Sequence, residues 1–338
     1  MLAAASACGT VENLTAGQKV DRAVERIGEQ KSLAFRLDLD ADARTIRDLS
    51  GGGDPAEAVP PSMARALSTL HVDVSIRSRK PLADSQEKDF LGSRLKISVA
   101  DGVLAEYRVV GDFTYYRTDP AALGSAMGFP VPSPDDIPPG REAMKEVAEG
   151  HWVKMNTKAL GKARKSAGGA PGAGGPDART QRKILDAVGA VVGRRVTFRT
   201  GDGSEGVEHV VATGNVRDLV TGIVTRLRPF QDDLPGGMEL PTARDLRDAP
   251  DKKISVDFTL RDGDLRRLRV DLAPLTGKPA AGELPLVVAF TEARDVRAPK
   301  GATELPPGAM LGAGPGALGG SLLPDRGPTG GIGDDGDF

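Results

Sequence analysis

Strict alternation of apolar and polar residues, punctuated by Asp-Gly and Gly-Asp pairs, limits this chain to strands joined by tight reversals. Leu33, Phe35, Leu37 and Leu39 alternate with Ala34, Arg36 and Asp38, and Val72, Val74 and Ile76 alternate with Asp73, Ser75 and Arg77. A period of two puts each apolar set on one face of a pleated strand, so both segments are half-buried strands. Leu95, Ile97 and Val99 lead into Asp101-Gly102, and residues 103–110 return to Gly111-Asp112. Phe113 and Tyr115 then open another strand, which makes 93–117 an antiparallel meander. Val196 and Phe198 pass through Gly201-Asp202-Gly203 into Val207, His209 and Val211. Ile254, Val256, Phe258 and Leu260 reach Asp262-Gly263, the strongest hairpin signal in the chain, before Leu268, Val270, Leu272 and a closing strand over 284–290.

Helical patterns are fewer. Thr15-Ala16-Gly17-Gln18 has capping-box form and Val20, Ala23, Val24 and Ile27 follow at helical spacing, which predicts an amphipathic helix over 15–29. Others are expected from Asp119-Pro120 to about 127, over 141–149, over 179–192, and over 215–227 behind Asn215 as cap. A short strand at 151–155 carries Trp152, the one tryptophan. Strands and helices do not alternate as in a parallel sheet, so the fold class is α+β with one large antiparallel sheet.

Charge and composition exclude several functions. The chain has 338 residues, with 45 Lys plus Arg against 47 Asp plus Glu, interspersed rather than in blocks, so nucleic acid is not an expected partner. No apolar run reaches the length of a membrane-spanning helix. The single cysteine leaves no intramolecular disulfide. That residue, Cys8, follows Ala5-Ser6-Ala7, the small side chains a lipoprotein signal peptidase needs before a cysteine to be lipidated. Residues 1–8 therefore read as the end of a lipoprotein signal with its lipobox, begun at an internal Met, and 9–14 as a tether. A single domain is expected over 15–298, with a flexible Gly/Ala/Pro insertion over 165–177 and a disordered, mildly acidic Gly/Pro-rich tail over 299–338. Cys8 would anchor the protein to the extracytoplasmic face of the cell membrane.

The order of lipobox, amphipathic helix, hairpins, the segment Val207 to Gly214, a helix at 215–227, the Asp262-Gly263 hairpin and a final strand resembles the LppX/LprG lipoproteins, which are related in fold to the LolA and LolB carriers. Asp112 to Arg117 and Gly150 to Met155 look like recurrent strands of that family. The resemblance implies a strongly curved antiparallel half-barrel with helices on its concave face, enclosing an apolar cavity for a lipid or acyl chain. Its candidate lining is Val72, Val74, Ile76, Leu95, Ile97, Phe113, Tyr115, Trp152, Val256, Phe258 and Val270. Alternation alone describes a packed core equally well, so the rival reading is a non-catalytic scaffolding lipoprotein with a filled core and an envelope protein as partner.

Catalytic chemistry is hard to assemble. His71, His151 and His209 lie far apart in sequence without a second ligand at metal spacing, so no metal or other cofactor is expected. Asp38, Asp40 and Asp42 imitate the start of a calcium loop, but Ala43 and Leu49 stand where its glycine and bidentate glutamate belong. Gly124 to Gly128 lacks the spacing of a nucleophile elbow, and Gly201 to Ser204 reads as a hairpin loop. An enzyme is not expected.

Overall fold

The computed structural model describes residues 5–50, 59–128, 134–137, 142–159, 189–233, 240–276, 282–293 and 295–306. A 12-stranded sheet organises them. In chain order the strands are β1 (Ser32–Leu39), β2 (His71–Ser78), β3 (Phe90–Val99), β4 (Gly102–Val110), β5 (Phe113–Thr118), β6 (Val153–Asn156), β7 (Val196–Thr200), β8 (Val207–Asn215), β9 (Lys253–Arg261), β10 (Asp264–Asp271), β11 (Pro285–Thr291) and β12 (Thr303–Glu304). Their spatial order is β12-β6-β5-β4-β3-β2-β1-β11-β10-β9-β8-β7. Two meanders, β1 to β6 and β7 to β11, are therefore joined edge to edge by the antiparallel β1·β11 ladder, with Phe35 opposite Phe290. Each pairing is antiparallel except β6 with β12.

The sheet is open and not strongly curled, which corrects the expected half-barrel. Sharp coiling of a sheet is produced by bulges. Here the central ladders β2·β1 and β1·β11 run in unbroken register, and the irregularities lie further out, at Arg77/Ser78, Ile97/Ser98 and Leu265/Arg267. The Asp262-Gly263 reversal forms as expected. Both residues have positive φ, 54° and 78°, the signature of a type I′ hairpin turn.

The helices are α1 (Ala5–Glu29), α2 (Ala43–Ser50), α3 (Pro61–Ser68), α4 (Pro120–Met127), α5 (Glu142–Ala148), α6 (Val216–Leu227) and α7 (Ala243–Asp248), with a further helical stretch at 189–195. Local chemistry fixes their ends. Asp119 accepts a hydrogen bond from the Ala122 N–H at 3.0 Å and Asn215 one from Asp218 at 3.2 Å, while Thr242 and Asp245 form a capping box on α7. The strand ends joined through α2 and α3 or through α6 and α7 lie at one margin of the sheet, the margin from which α4 also leaves β5.

Helix α1 instead lies across the sheet. Its Ala16, Val20 and Ala23 are buried with Val210, Leu260 and Leu265, and Ile27, Phe198, Phe258, Leu268 and Phe290 pack around them. Arg26 fastens its last turn by donating to the Asp262 carbonyl at 2.9 Å and pairing with Asp264 at 3.3 Å. The helix read over 15–29 thus begins at Ala5 and takes in Cys8 and the expected tether. At the other end, residues expected in the tail join the fold. Thr303–Glu304 pairs with β6, and Leu305 is buried against Val153 and Met155. Of the helix read over 179–192, only 189 onward is within the described residues; the 165–177 insertion and the tail from 307 lie outside them.

Candidate functional site

Register decides which side chains share a face, because directly opposed residues in neighbouring strands project to the same side. Ala212, Val256, Val270, Leu286, Leu39 form one such row, and Val210, Phe258, Leu268, Val288, Leu37, Val72, Ile97, Ala105 another. Phe290, Phe35, Val74, Leu95, Tyr107, Tyr116 and Val153 make a third. One face of the whole sheet is consequently apolar.

Its cover is uneven. Helix α1 spans β7 to β10 on this face, and α5 brings Val147 onto Val153, Met155 and Tyr116 at the opposite side. Burial there pushes the Tyr116 hydroxyl pKa up, so the phenol stays neutral. Between the two helices, β1, β2 and β3 carry no extensive helix packing among the described residues. Leu33, Phe35, Leu37, Val72, Val74, Ile76 and Ile97 are all only half-buried, and Leu95 and Tyr107 are 38% and 39% exposed. The arrangement is an apolar floor between two helical walls.

Eight of the eleven residues expected to line a cavity lie on this face: Val72, Val74, Ile76, Leu95, Ile97, Val256, Phe258 and Val270. Phe258 belongs to the core beneath α1. Phe113, Tyr115 and Trp152 do not join them. Tyr116 is the residue opposite Tyr107, so Phe113 and Tyr115 project to the other side, and Trp152 does likewise; Tyr115 is buried against Phe113, and cations cover the other two rings. Lys154 Nζ stands 5.0 Å from the Phe113 ring centre, and the Arg108 and Arg117 guanidiniums stand 4.7 and 5.1 Å from that of Trp152.

That second face is polar and paired. Arg36 bonds Asp73 at 2.8 Å, which raises the guanidinium pKa, His71 Nδ1 bonds Asp38, and His209 Nδ1 lies 3.0 Å from Asp257. Glu106 is 3% exposed and sits among Arg94, Arg108 and Arg117 at 2.6, 2.7 and 3.7 Å. Ser98 is opposite His71 in β3, so an Asp38, His71, Ser98 series crosses three strands, yet no hydrogen bond joins His71 to Ser98. A relay needs that contact to generate a nucleophile.

The structure also brings together a group that sequence spacing did not suggest. Gly150, at φ 75°, ends α5 and turns His151 back so that its Nδ1 lies 3.2 Å from Glu146 and 3.4 Å from Glu149. The three offer ligand atoms within 4.8 Å of one another. A helical i, i+3 glutamate pair followed by Gly-His was the available signal. The group is largely open to solvent, and as it stands the imidazole is the partner of both carboxylates.

No family model and no curated protein matches the sequence. Among solved structures the likeness is one of fold. The chain is similar to the mycobacterial lipoproteins LppX and LprF. For LppX of Mycobacterium tuberculosis the identity is 11% and the TM-score 0.31, over 82% of this chain and 94% of that one. For LprF of Mycobacterium bovis the identity is 11% and the TM-score 0.30, over 86% and 98%. Among the described residues no helix is long and apolar enough to cross a membrane.

Proposed function

We propose that this chain is an envelope lipoprotein that binds a lipid or acyl chain along the apolar floor between α1 and α5. The observation that carries the reading is the row Phe35, Val74, Leu95, Tyr107, apolar on four successive strands and left partly in water. A folded sheet normally covers such a face. Each methylene moved from water onto apolar surface contributes about 0.8 kcal/mol, so a long acyl chain needs no catalytic group to be held. Strand spacing of about 4.8 Å makes the stretch from β11 to β4 about 19 Å wide, room for such a chain lying across the strands.

Cys8 is the proposed anchor. Lipidation there would place two acyl chains at the head of α1, enough for stable attachment to a bilayer, with the floor close to the lipid source. Native mass spectrometry of the protein from a bacterial host, followed by solvent extraction, tests the ligand. A defined lipid released by solvent is expected. A ligand-free mass together with no uptake of labelled fatty acid would overturn the reading and leave the scaffolding alternative. The anchor has its own test: metabolic palmitate label should enter the full-length protein and be lost in Cys8→Ser.

A further inference from the structure

We propose that Arg94, Arg108 and Arg117, on the polar face, bind a phosphate group beside Trp152. Arg94 and Arg108 are direct cross-strand partners, an arrangement that like charges disfavour. Glu106 relieves part of that repulsion. It is opposed by Lys96 on one side and Arg117 on the other, so its single carboxylate is surrounded by cations. The neighbouring carboxylates are committed elsewhere: Asp73 to Arg36, Asp295 to Arg77 and Arg297, and Glu304 to Lys154. Three guanidiniums against one carboxylate leave a surplus of two positive charges. A phosphate monoester carries about 1.5 to 2 negative charges at neutral pH, which matches that surplus.

Donor supply points the same way. Three guanidiniums present about fifteen N–H groups, whereas a carboxylate accepts about four. Beyond Glu106, Arg108 donates to the Arg297 carbonyl at 2.9 Å. The three side chains retain 33%, 20% and 36% of their exposure, so an oxyanion can reach them. Planar guanidiniums suit bidentate contact with phosphate oxygens better than ammonium groups do. Stacking of Arg108 and Arg117 on Trp152 holds two of them in place before any ligand arrives. The site lies on the face opposite the acyl floor, and its existence does not depend on that reading.

Trp152 is the only tryptophan, so its fluorescence reports on this site alone. The full chain is titrated at constant ionic strength with inorganic phosphate, and separately with phosphatidylcholine vesicles with and without phosphatidate. A saturable change with inorganic phosphate supports a soluble phosphorylated ligand; a change only with phosphatidate vesicles supports a lipid headgroup. Arg117→Gln should weaken the response at least about tenfold, the scale of one lost charge-assisted contact. Glu106→Gln keeps an acceptor but removes the competing charge, and should tighten it, which preserves the test if Arg117→Gln does not fold. No saturable response in either titration, an unchanged affinity in folded Arg117→Gln, or an unchanged affinity in folded Glu106→Gln overturns the proposal.

Discussion

Placing a carboxylate at Leu95 separates an open apolar floor from a sealed core. Leu95 lies between Val74 and Tyr107 and is 38% exposed, so part of the side chain is already in water. Leu95→Asp forfeits only the buried part, about 1 kcal/mol, and the new charge remains hydrated. The chain should stay folded, losing about 1–2 kcal/mol in urea denaturation. Val210 is the control, being 0% exposed beneath Ala16 and Val20 of α1. Val210→Asp strands an unpaired charge among apolar groups at a cost of several kcal/mol, a large share of the stability of any domain. For an acyl ligand, a carboxylate in the middle of the floor drives about three methylenes back into water, about 2.4 kcal/mol, or affinity about fiftyfold weaker. The assay is a fluorescent fatty acid titration of parent and Leu95→Asp, run beside urea melts of parent and both variants. Folded Leu95→Asp that binds within about threefold of the parent would refute the placement of the ligand. Unfolding of Leu95→Asp to the same degree as Val210→Asp would show that packing seals the face.

Further expectations concern the scaffold. Leu260 is 1% exposed, and Leu260→Ala should cost about 2–5 kcal/mol, read as a shift of the urea midpoint at constant slope. Gly263 has φ 78°, and a β-carbon there would stand 2.5 Å from Arg26 Nη1, so Gly263→Val should destabilise by more than 1 kcal/mol, roughly, and loosen the end of α1, seen as faster amide exchange at 24–29. The Asp245 carboxyl is held below its ordinary value of 3.8 first by the Thr242 hydroxyl and then by its backbone N–H, and the Asp42 carboxyl first by the Thr45 backbone N–H. Both are depressed in the folded state, so their contribution is present above pH 3.8 and disappears as the pH falls through the folded values. Asp245→Asn and Asp42→Asn should lower the neutral part of a stability profile, where the carboxylates contribute, and converge with the parent in acid, so that the fall below about pH 4 is flatter.

Strands and hairpins were legible because alternation and turn chemistry are local. The period-two runs of β1, β2 and β9, and the Asp262-Gly263 turn, form where their residues predict. Three features were not legible, each for a physical reason. Helices α2 and α3 are eight residues long, and their buried residues are only Ile46, Leu49 and Ala64, too few to show a periodic stripe. In β5, aromatics occupy both parities, Phe113 and Tyr115 on one and Tyr116 on the other, so alternation cannot name the inward side. Lys154 of the neighbouring strand lies over Phe113, and Tyr115 packs its ring against Phe113, which lets the first pair rest on the polar face. The β1·β11 seam joins segments from opposite ends of the domain, and nothing local to either states that they meet.

That seam also sets a schedule. Strand β1 emerges early and can pair with β2 at once, but its other edge waits for β11, after the whole second meander has been made. Helix α1 waits as well, since Val210, Leu260 and Leu265 beneath it come from β8, β9 and β10. Closing so long a loop is slow and leaves an unpaired strand edge and an apolar helix face open in the meantime. The nascent chain should depend on a holding factor until its last strands arrive, and truncation before β11 should yield aggregate instead of half a sheet.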